Sequence, residues 1–265
     1  MAGSPRIISP MEIDNFDIIA PHLTFEPAMK FDSDTKELKR LNDTYDRYII
    51  QILRRAKDPR GKSHGVNTGN RLLKTYEVSS REYLERKRPH IIDICRLNSA
   101  RAYILPQVRS TYDCLKEMIR IGVDNLENPT IKFSHIMRSC MCAMHRSRDR
   151  KWVLDLDANC MDEPSGGKRW TVDSVMELVK GELAACGKDP ASAYVVPTRS
   201  GHHIVTPPFN LKSAQGKCGM MFEGRRSIGC GRRDVGPGET EPLRRNIDGW
   251  LHKDGMTLLY YCDGE

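Results

Sequence analysis

The sequence predicts an α+β protein, and three features of its second half carry that prediction. Residues 152–157 (WVLDLD) form a short apolar run of strand length that ends in two carboxylates. Residues 172–186 place apolar side chains at helical spacing. Two strand-like runs, 193–197 and 202–206, follow and are joined by a turn at 198–201. Strand, helix, strand, turn and strand in this order predict a ferredoxin-like or RNA-recognition-motif-like sheet flanked by helices.

Three segments organise the chain. Residues 1–35 carry prolines and mixed polarity without clear periodicity, and we expect them to form an extended lead-in. Residues 36–149 are predicted to be a mostly helical N-terminal portion that packs on the second half. The character of the sequence changes near residue 150, and residues 150–265 are predicted to form the α+β half described above.

The elements of the first half follow from periodicity and capping. Residues 36–56 place six apolar side chains at helical spacing, which predicts a first helix. A second helix is expected from Ser80 to about Leu97, with Ser79 or Ser80 as its N-cap, and a third over 109–122. The remaining predicted elements are strands at 101–105 and 257–262 and loops at 57–71, 158–170 and 216–238.

Composition narrows the class of protein. Hydrophobic residues make up 39% of the 265 residues, which is typical of a chain with a buried core and excludes a largely disordered one. No apolar run approaches the roughly 20 residues that span a bilayer, and the N-terminus has no apolar signal region, which predicts a cytoplasmic protein. The nine cysteines are scattered and odd in number, so we interpret them as reduced thiols.

The chain is moderately basic. Its formal net charge is +7, and the positive residues are clustered, which is consistent with a phosphate-bearing partner. Solvated helix faces would account for about half of such clusters, so charge alone does not decide between a nucleic-acid partner and none. The clusters lie at 54–60, 86–88, 138–151 and 225–233.

Asp155 and Asp157 form a carboxylate pair at the end of the 152–157 run. Side chains two apart on a strand emerge on one face, so the two acids repel each other unless a cation lies between them. Hard oxygen ligands favour Mg²⁺ or Mn²⁺, and both ions bind substrate phosphates. The alternative is a strand that runs out into a polar loop, in which Asp157 caps a turn.

A histidine pair follows a Ser-Gly turn in PTRSGHHIVT, residues 197–206. On a strand, His202 and His203 point to opposite faces. A histidine beside a turn rich in backbone N–H groups is suited to gripping the phosphates of a nucleotide, assisted by Arg199 and Ser200. The alternative is that one or both histidines are structural or merely exposed.

In their order along the chain, these motifs resemble those of the archaeo-eukaryotic primases and primase-polymerases. WVLDLD at 152–157 resembles the family's first motif, a hydrophobic strand that ends in Asp-x-Asp or Asp-x-Glu. PTRSGHHIV at 197–205 resembles the second, with His203 as the motif histidine and His202 as the runner-up. NIDGWLHKDGMTLLYY at 246–261 is similar to the third-motif segment of bacterial end-joining polymerase domains, in which the aspartate precedes a threonine by nine positions.

The resemblance implies a primase- or polymerase-type nucleotidyltransferase that uses Mg²⁺ or Mn²⁺. Asp155, Asp157 and Asp248 would bind the catalytic metals, and His203 would contact the phosphates of the incoming nucleoside triphosphate. The third ligand stays open, because Asp254 and Asp263 also lie in or beside strand-like segments. Arginines would contact single-stranded nucleic acid; the candidates are Arg101, Arg109, Arg225, Arg226, Arg232 and Arg233.

Two alternative hypotheses remain beside the enzymatic one. The first is a catalytically inactive nucleic-acid-binding protein of the same fold, which metal dependence would distinguish. The second is a zinc site at Cys140 and Cys142, which is disfavoured because Cys-x-Cys on a helix separates the two sulfurs by about 200°. The chain shows no zinc-binding stem of the usual spacing and no iron–sulfur domain, which predicts a minimal phage or mobile-element module that works with a separate helicase or replication protein.

Overall fold

A computed structural model describes most of the two predicted halves. The described residues are 11–25, 27–55, 71–127, 136, 140, 150–157, 171–218, 250–252 and 255–262. The chain divides into two compact units: the first comprises Met1–Lys151, Val196–Arg199 and Met256–Glu265, and the second comprises Trp152–Val195 and Ser200–Gly255. The predicted α+β class is confirmed, since helices accompany antiparallel sheets in the described part of the chain.

The strands and helices are numbered in chain order. The strands are β1 (Glu12–Asp14), β2 (Pro27–Phe31), β3 (Leu38–Tyr45), β4 (Arg47–Arg54), β5 (Arg71–Val78), β6 (Arg101–Arg109), β7 (Trp152–Asp157), β8 (Tyr194–Pro197), β9 (Gly201–Thr206), β10 (Trp250–His252) and β11 (Thr257–Cys262). The helices are α1 (Phe16–Ile19), α2 (Arg81–Asn98), α3 (Thr111–Asp124), α4 (Val172–Ala185) and α5 (Leu211–Cys218), with short 3-10 turns at Ala20–His22 and Pro190–Ser192.

The first unit is built on a five-stranded sheet in the order β1-β11-β6-β4-β5, with β2 and β3 forming a separate antiparallel pair. Neighbouring strands of the larger sheet pair antiparallel. Helix α2 buries Leu84, Ile91 and Cys95 completely, which are the positions that face the core at helical spacing. Part of the predicted lead-in belongs to this unit, because residues 12–14 form β1 and the side chains of Phe16 and Ile19 are buried.

The predicted helix over residues 36–56 is wrong, and the described residues of the N-terminal portion form strands as well as helices. These residues form β3 and β4, and the same portion contains β5 and β6 beside helices α2 and α3. Strand β4 lies between β5 and β6, and its side chains from Tyr48 to Ile52 are buried on both faces of the sheet. A strand buried on both faces has a continuous apolar run, which periodicity does not separate from a buried helix.

The other predicted helices are confirmed, and their ends match the capping residues. The Ser80 hydroxyl accepts a hydrogen bond from the backbone N–H of Tyr83 at 3.1 Å, so Ser80 is the N-cap of α2. Thr171 and Ser174 form a reciprocal capping box at the start of α4. Gly187 follows the end of α4 with a φ of +67°, the left-handed conformation that favours glycine.

The second unit contains the four-stranded sheet β10-β7-β9-β8. The described elements follow each other as β7, α4, β8, β9, α5 and β10, and strand β9 lies between β7 and β8. One core cluster fills the space between the sheet and α4; its fully buried members include Leu154, Val179, Leu183 and Ile204. The predicted strands at 152–157, 193–197, 202–206 and 257–262 are confirmed, whereas α5 and β10 were not predicted. Within the described residues, no helix combines the length and apolar character needed to cross a membrane.

Candidate active site

The described helices of the second unit contribute to one core cluster, which lies on one face of its sheet. Leu154, Leu156 and Ile204 belong to the core cluster that also contains the inner face of α4. Because side chains alternate along a strand, the neighbouring residues Asp155 and His203 project from the opposite face. Val153 and Val205 lie on the same face as Asp155 and His203 and are fully buried, so the accessible part of this face begins at the Asp155–His203 pair.

Asp155 and His203 form a cross-strand pair on that face. They are directly opposite each other in the antiparallel register of β7 and β9. The Nε2 atom of His203 lies 3.4 Å from the Oδ1 atom of Asp155, and the side chains are 12% and 32% exposed, respectively. At this distance the contact is an ion pair only when the imidazole is protonated. The carboxylate therefore sits beside an imidazole and keeps about a third of its surface accessible.

The other candidate residues of the first two motifs lie on β7, on β9 or in the turn before β9. His202 is half-buried and lies opposite Leu156, on the face that carries the core cluster. The two histidines therefore project from opposite faces of β9, as predicted. Ser200 is exposed in the turn that precedes β9. Asp157 is the last residue of β7, and its backbone is paired with Gly201; the placement of its side chain lies outside the described residues.

Strand β10 lies on the other side of β7. Trp250 is opposite Asp155, and His252 is opposite Val153. The three candidates for the third ligand, Asp248, Asp254 and Asp263, all lie outside the described residues, as do the predicted nucleic-acid contacts Arg225, Arg226, Arg232 and Arg233. Sequence reasoning missed β10 because three residues are too short a run to show a period, although Trp and His flanking Leu251 are consistent with alternation.

The described residues contain no group of three or more His, Cys, Asp or Glu side chains that could hold a metal ion. This search covers Asp155 and His203 but not the complete predicted ligand set. The proposed three-carboxylate site therefore stays a prediction. Of the two cysteines in the alternative zinc site, Cys140 is buried and Cys142 lies outside the described residues.

The predicted arginines of the first unit have defined surroundings. The guanidinium carbon of Arg101 lies 4.6 Å from the centre of the Tyr261 ring, and that of Arg199 lies 5.5 Å from the same centre. Arg199 is exposed, but Arg101 is only 9% exposed and Arg109 only 3%. Because buried guanidinium groups offer little area to a polyanion, a nucleic-acid role for Arg101 and Arg109 stays a prediction that their burial does not favour.

Comparison with known proteins adds no relative. No family model, no curated protein and no solved structure matches this chain. The function has to be inferred from the side chains and their placement.

Proposed function

We propose that this chain is a primase- or polymerase-type nucleotidyltransferase that adds nucleotides to single-stranded nucleic acid with the help of Mg²⁺ or Mn²⁺. The observation that carries the proposal is the direct opposition of Asp155 and His203 on neighbouring strands. The sequence motifs assign these residues to metal binding and triphosphate binding. A metal ligand and a triphosphate-binding residue have to lie close together, because the metal ion and the triphosphate bind each other. Asp155 and His203 meet this requirement on the face opposite α4.

The arrangement of the second unit supports a sheet of the RNA-recognition-motif type. Its elements follow the order β-α-β-β-α-β, and the unit formed by β7, α4 and β8 is split by β9, which lies between the two strands. Sheets of this kind carry their helices on one face and leave the other for a ligand. In a sheet of this type, Asp155 on the central strand β7 would lie on the ligand-binding face.

The donors present suit a hard divalent cation. Asp155 offers carboxylate oxygens with about a third of the side chain exposed, and Asp157 follows two residues later on the same strand. Oxygen donors of this kind favour Mg²⁺ or Mn²⁺ over softer metals. When bound, such an ion would neutralise charge on the triphosphate. It would also stabilise the oxygen that attacks the α-phosphorus and the oxygen that leaves it.

The direction of β10 favours Asp248 as the third carboxylate. Because β10 runs antiparallel to β7 and Trp250 is paired with Asp155, β10 begins at the end of β7 that carries Asp155 and Asp157. Asp248 precedes Trp250 by two residues in the sequence. Asp254 follows the other end of β10, and Asp263 follows β11, a strand of the first unit.

His203 would hold the triphosphate next to that cation. Its imidazole is largely protected from solvent and lies 3.4 Å from the carboxylate of Asp155, so a ring N–H can donate a hydrogen bond to a phosphate oxygen of a triphosphate bound beside that carboxylate. Ser200 adds an exposed hydroxyl at the start of the same strand, and the turn adds backbone N–H groups. Asp155 and His203 thus orient the α-phosphate for attack by a hydroxyl group.

Nucleotide incorporation tests this proposal. The purified protein is incubated with labelled nucleoside triphosphates, Mn²⁺ and a single-stranded template, beside a variant carrying Asp155→Ala and Asp157→Ala. Product from the unaltered protein alone supports the enzyme. No product from either protein, with unchanged nucleic-acid affinity, favours the inactive nucleic-acid-binding protein.

Two histidine variants give the experiment a matched control. His203→Ala is expected to lower incorporation at least about tenfold, because it removes a hydrogen bond to the charged phosphates. His202→Ala is expected to retain incorporation, because His202 projects from the opposite face of β9. Equal losses in both variants would contradict the assignment of His203.

A further inference from the structure

A row of cations follows one side of α2 and continues onto the edge of the five-stranded sheet. Helix positions 83, 86, 87 and 90 lie on one stripe, and β5 is the outermost strand on that side of the sheet. We call this row the α2–β5 strip. It consists of Lys74, Tyr76, Tyr83, Arg86, Lys87 and His90.

Two tyrosine rings position the cations of the strip. The guanidinium carbon of Arg86 lies 5.5 Å from the centre of the Tyr83 ring, and the Nζ atom of Lys87 lies 5.7 Å from it. The Nζ atom of Lys74 lies 5.8 Å from the centre of the Tyr76 ring. The hydroxyl of Tyr76 and the Nδ1 atom of His90 are 3.1 Å apart, which joins the strand to the helix. Cations held against rings lose less freedom when they bind an anion.

The strip differs from the rest of α2 in its charge balance. Arg88 binds the carboxylates of both Asp14 and Asp17, and Arg96 binds that of Glu12. Within the described residues, no carboxylate lies within ion-pair distance of Lys74, Arg86 or Lys87. One side of the helix is therefore neutralised by the chain itself, whereas Arg86 and Lys87 on the other side, together with Lys74 on β5, keep three positive charges for an external partner.

We propose that the α2–β5 strip binds the backbone phosphates of single-stranded nucleic acid, through residues other than those assigned to the reaction. A row of cations on one helical stripe and an edge strand fits an extended polyanion, whose affinity comes from phosphate contacts. The choice of nucleic acid over another polyanion rests on the proposed function. The strip itself is independent of the metal and of the triphosphate.

The test is a fluorescence-anisotropy titration of the full chain with labelled single-stranded DNA and, in a second arm, RNA of the same sequence. EDTA is present and nucleoside triphosphates are absent, so catalysis does not contribute. The strip variant carries Lys74→Gln, Arg86→Gln and Lys87→Gln. The control variant removes the same charge at three exposed sites that are ion-paired within the chain; it carries Lys39→Gln, Arg120→Gln and Lys180→Gln.

The strip variant is expected to bind about 100-fold more weakly than the control at about 0.1 M salt. Each neutralised phosphate of a single strand contributes about 0.7 to the slope of log affinity against log salt, so three lost contacts make the slope shallower by about 2. Far-ultraviolet circular dichroism confirms that the variants are folded. The single variant Lys87→Gln, expected to lose about fivefold on the same scale, replaces the triple one if the triple variant does not fold.

Two outcomes would overturn the proposal, and a third would separate it from the proposed function. Equal affinity and slope in the strip and control variants would show that only net charge matters. Binding of the unaltered protein to vesicles that contain phosphatidylserine, with loss in the strip variant and no binding of either nucleic acid, would assign the strip to a membrane surface. A strip-dependent loss of binding in a protein that incorporates no nucleotide would uphold this inference and contradict the proposed function.

Discussion

Two adjacent residues of β7 should respond to substitution in opposite ways. Leu154 is fully buried in the core cluster, so Leu154→Ala should lower the free energy of unfolding of the second unit by about 2–5 kcal/mol. Asp155 is about a third exposed, and its 3.4 Å contact with His203 is of the kind that contributes at most about 1 kcal/mol. Asp155→Asn should therefore change stability by less than about 1 kcal/mol.

The two substitutions should affect metal binding in the opposite order, with the larger effect at Asp155. Asp155→Asn should weaken Mn²⁺ binding at least about tenfold, since even the loss of groups that only support metal ligands costs about 10–100-fold. Leu154→Ala should leave Mn²⁺ affinity within about twofold wherever the protein is folded, since residue 154 projects away from the proposed site. Electron paramagnetic resonance of free Mn²⁺ measures this affinity directly.

Tryptophan fluorescence during urea unfolding measures the stability change. All three tryptophans lie in the second unit, and Trp152 packs edge-on against Phe209 with ring centres 5.4 Å apart. With a urea dependence of about 2 kcal/mol per molar, Leu154→Ala should shift the midpoint by about 1–2.5 M, and Asp155→Asn by less than about 0.5 M. A shift of similar size in both variants, or loss of Mn²⁺ binding in folded Leu154→Ala, would refute the assignment of the two faces.

Three further predictions concern stability and thiol reactivity. Thr171→Ala should lower the stability of the second unit by about 1 kcal/mol in urea unfolding, because it removes one half of the capping box of α4, whereas Thr171→Ser should not. Hydrogen bonds from Tyr260 and then Arg96 hold the pKa of Glu12 below its ordinary value of 4.5, so Glu12→Gln should be less stable than the unaltered protein at neutral pH. That deficit should disappear in unfolding curves recorded as the pH falls through and below the lowered pKa, where the carboxylate is protonated in both states. Among the described thiols, exposed Cys186 should be alkylated first, and Cys95, whose pKa burial raises to about 12, should be alkylated only on unfolding, as mass spectrometry of labelled peptides would show.

Local signals predicted the helices whose ends are chemically marked. Ser80 and Thr171 accept backbone hydrogen bonds at the starts of α2 and α4, and Gly187 adopts the positive φ expected after a helix. These residues act within one turn of their own position, so a single sequence contains the information. The strand at 152–157 was predictable for a similar reason, since its apolar run has strand length and ends in charged residues.

The helix over residues 36–56 was wrongly predicted because its most apolar segment, β4, is buried on both faces of the sheet. Strand β4 is hydrogen-bonded to β5 and β6 and buried on both faces, so its sequence contains no alternation. Which strands become neighbours is decided by contacts between distant segments. The pairing of β11 with β1 and β6 joins the two ends of the chain, and no local pattern encodes it.

The candidate site was predictable in its residue types but not in its geometry. The motifs identified Asp155 and His203 separately, and the antiparallel pairing of β7 with β9 is what makes them direct neighbours. The placement of β10 beside Asp155 was not foreseen, because Trp250–His252 is a strand only through its pairing with β7. Site residues are thus marked by local sequence, whereas their convergence depends on the sheet.

Anomalous scattering from Mn²⁺ in crystals grown with a non-hydrolysable nucleoside triphosphate tests the central claim most directly. The account predicts a Mn²⁺ peak about 2.1 Å from a carboxylate oxygen of Asp155, with Asp157 and Asp248 completing the carboxylate set and the imidazole of His203 on the triphosphate. A peak remote from Asp155, or a triphosphate bound away from His203, would contradict it.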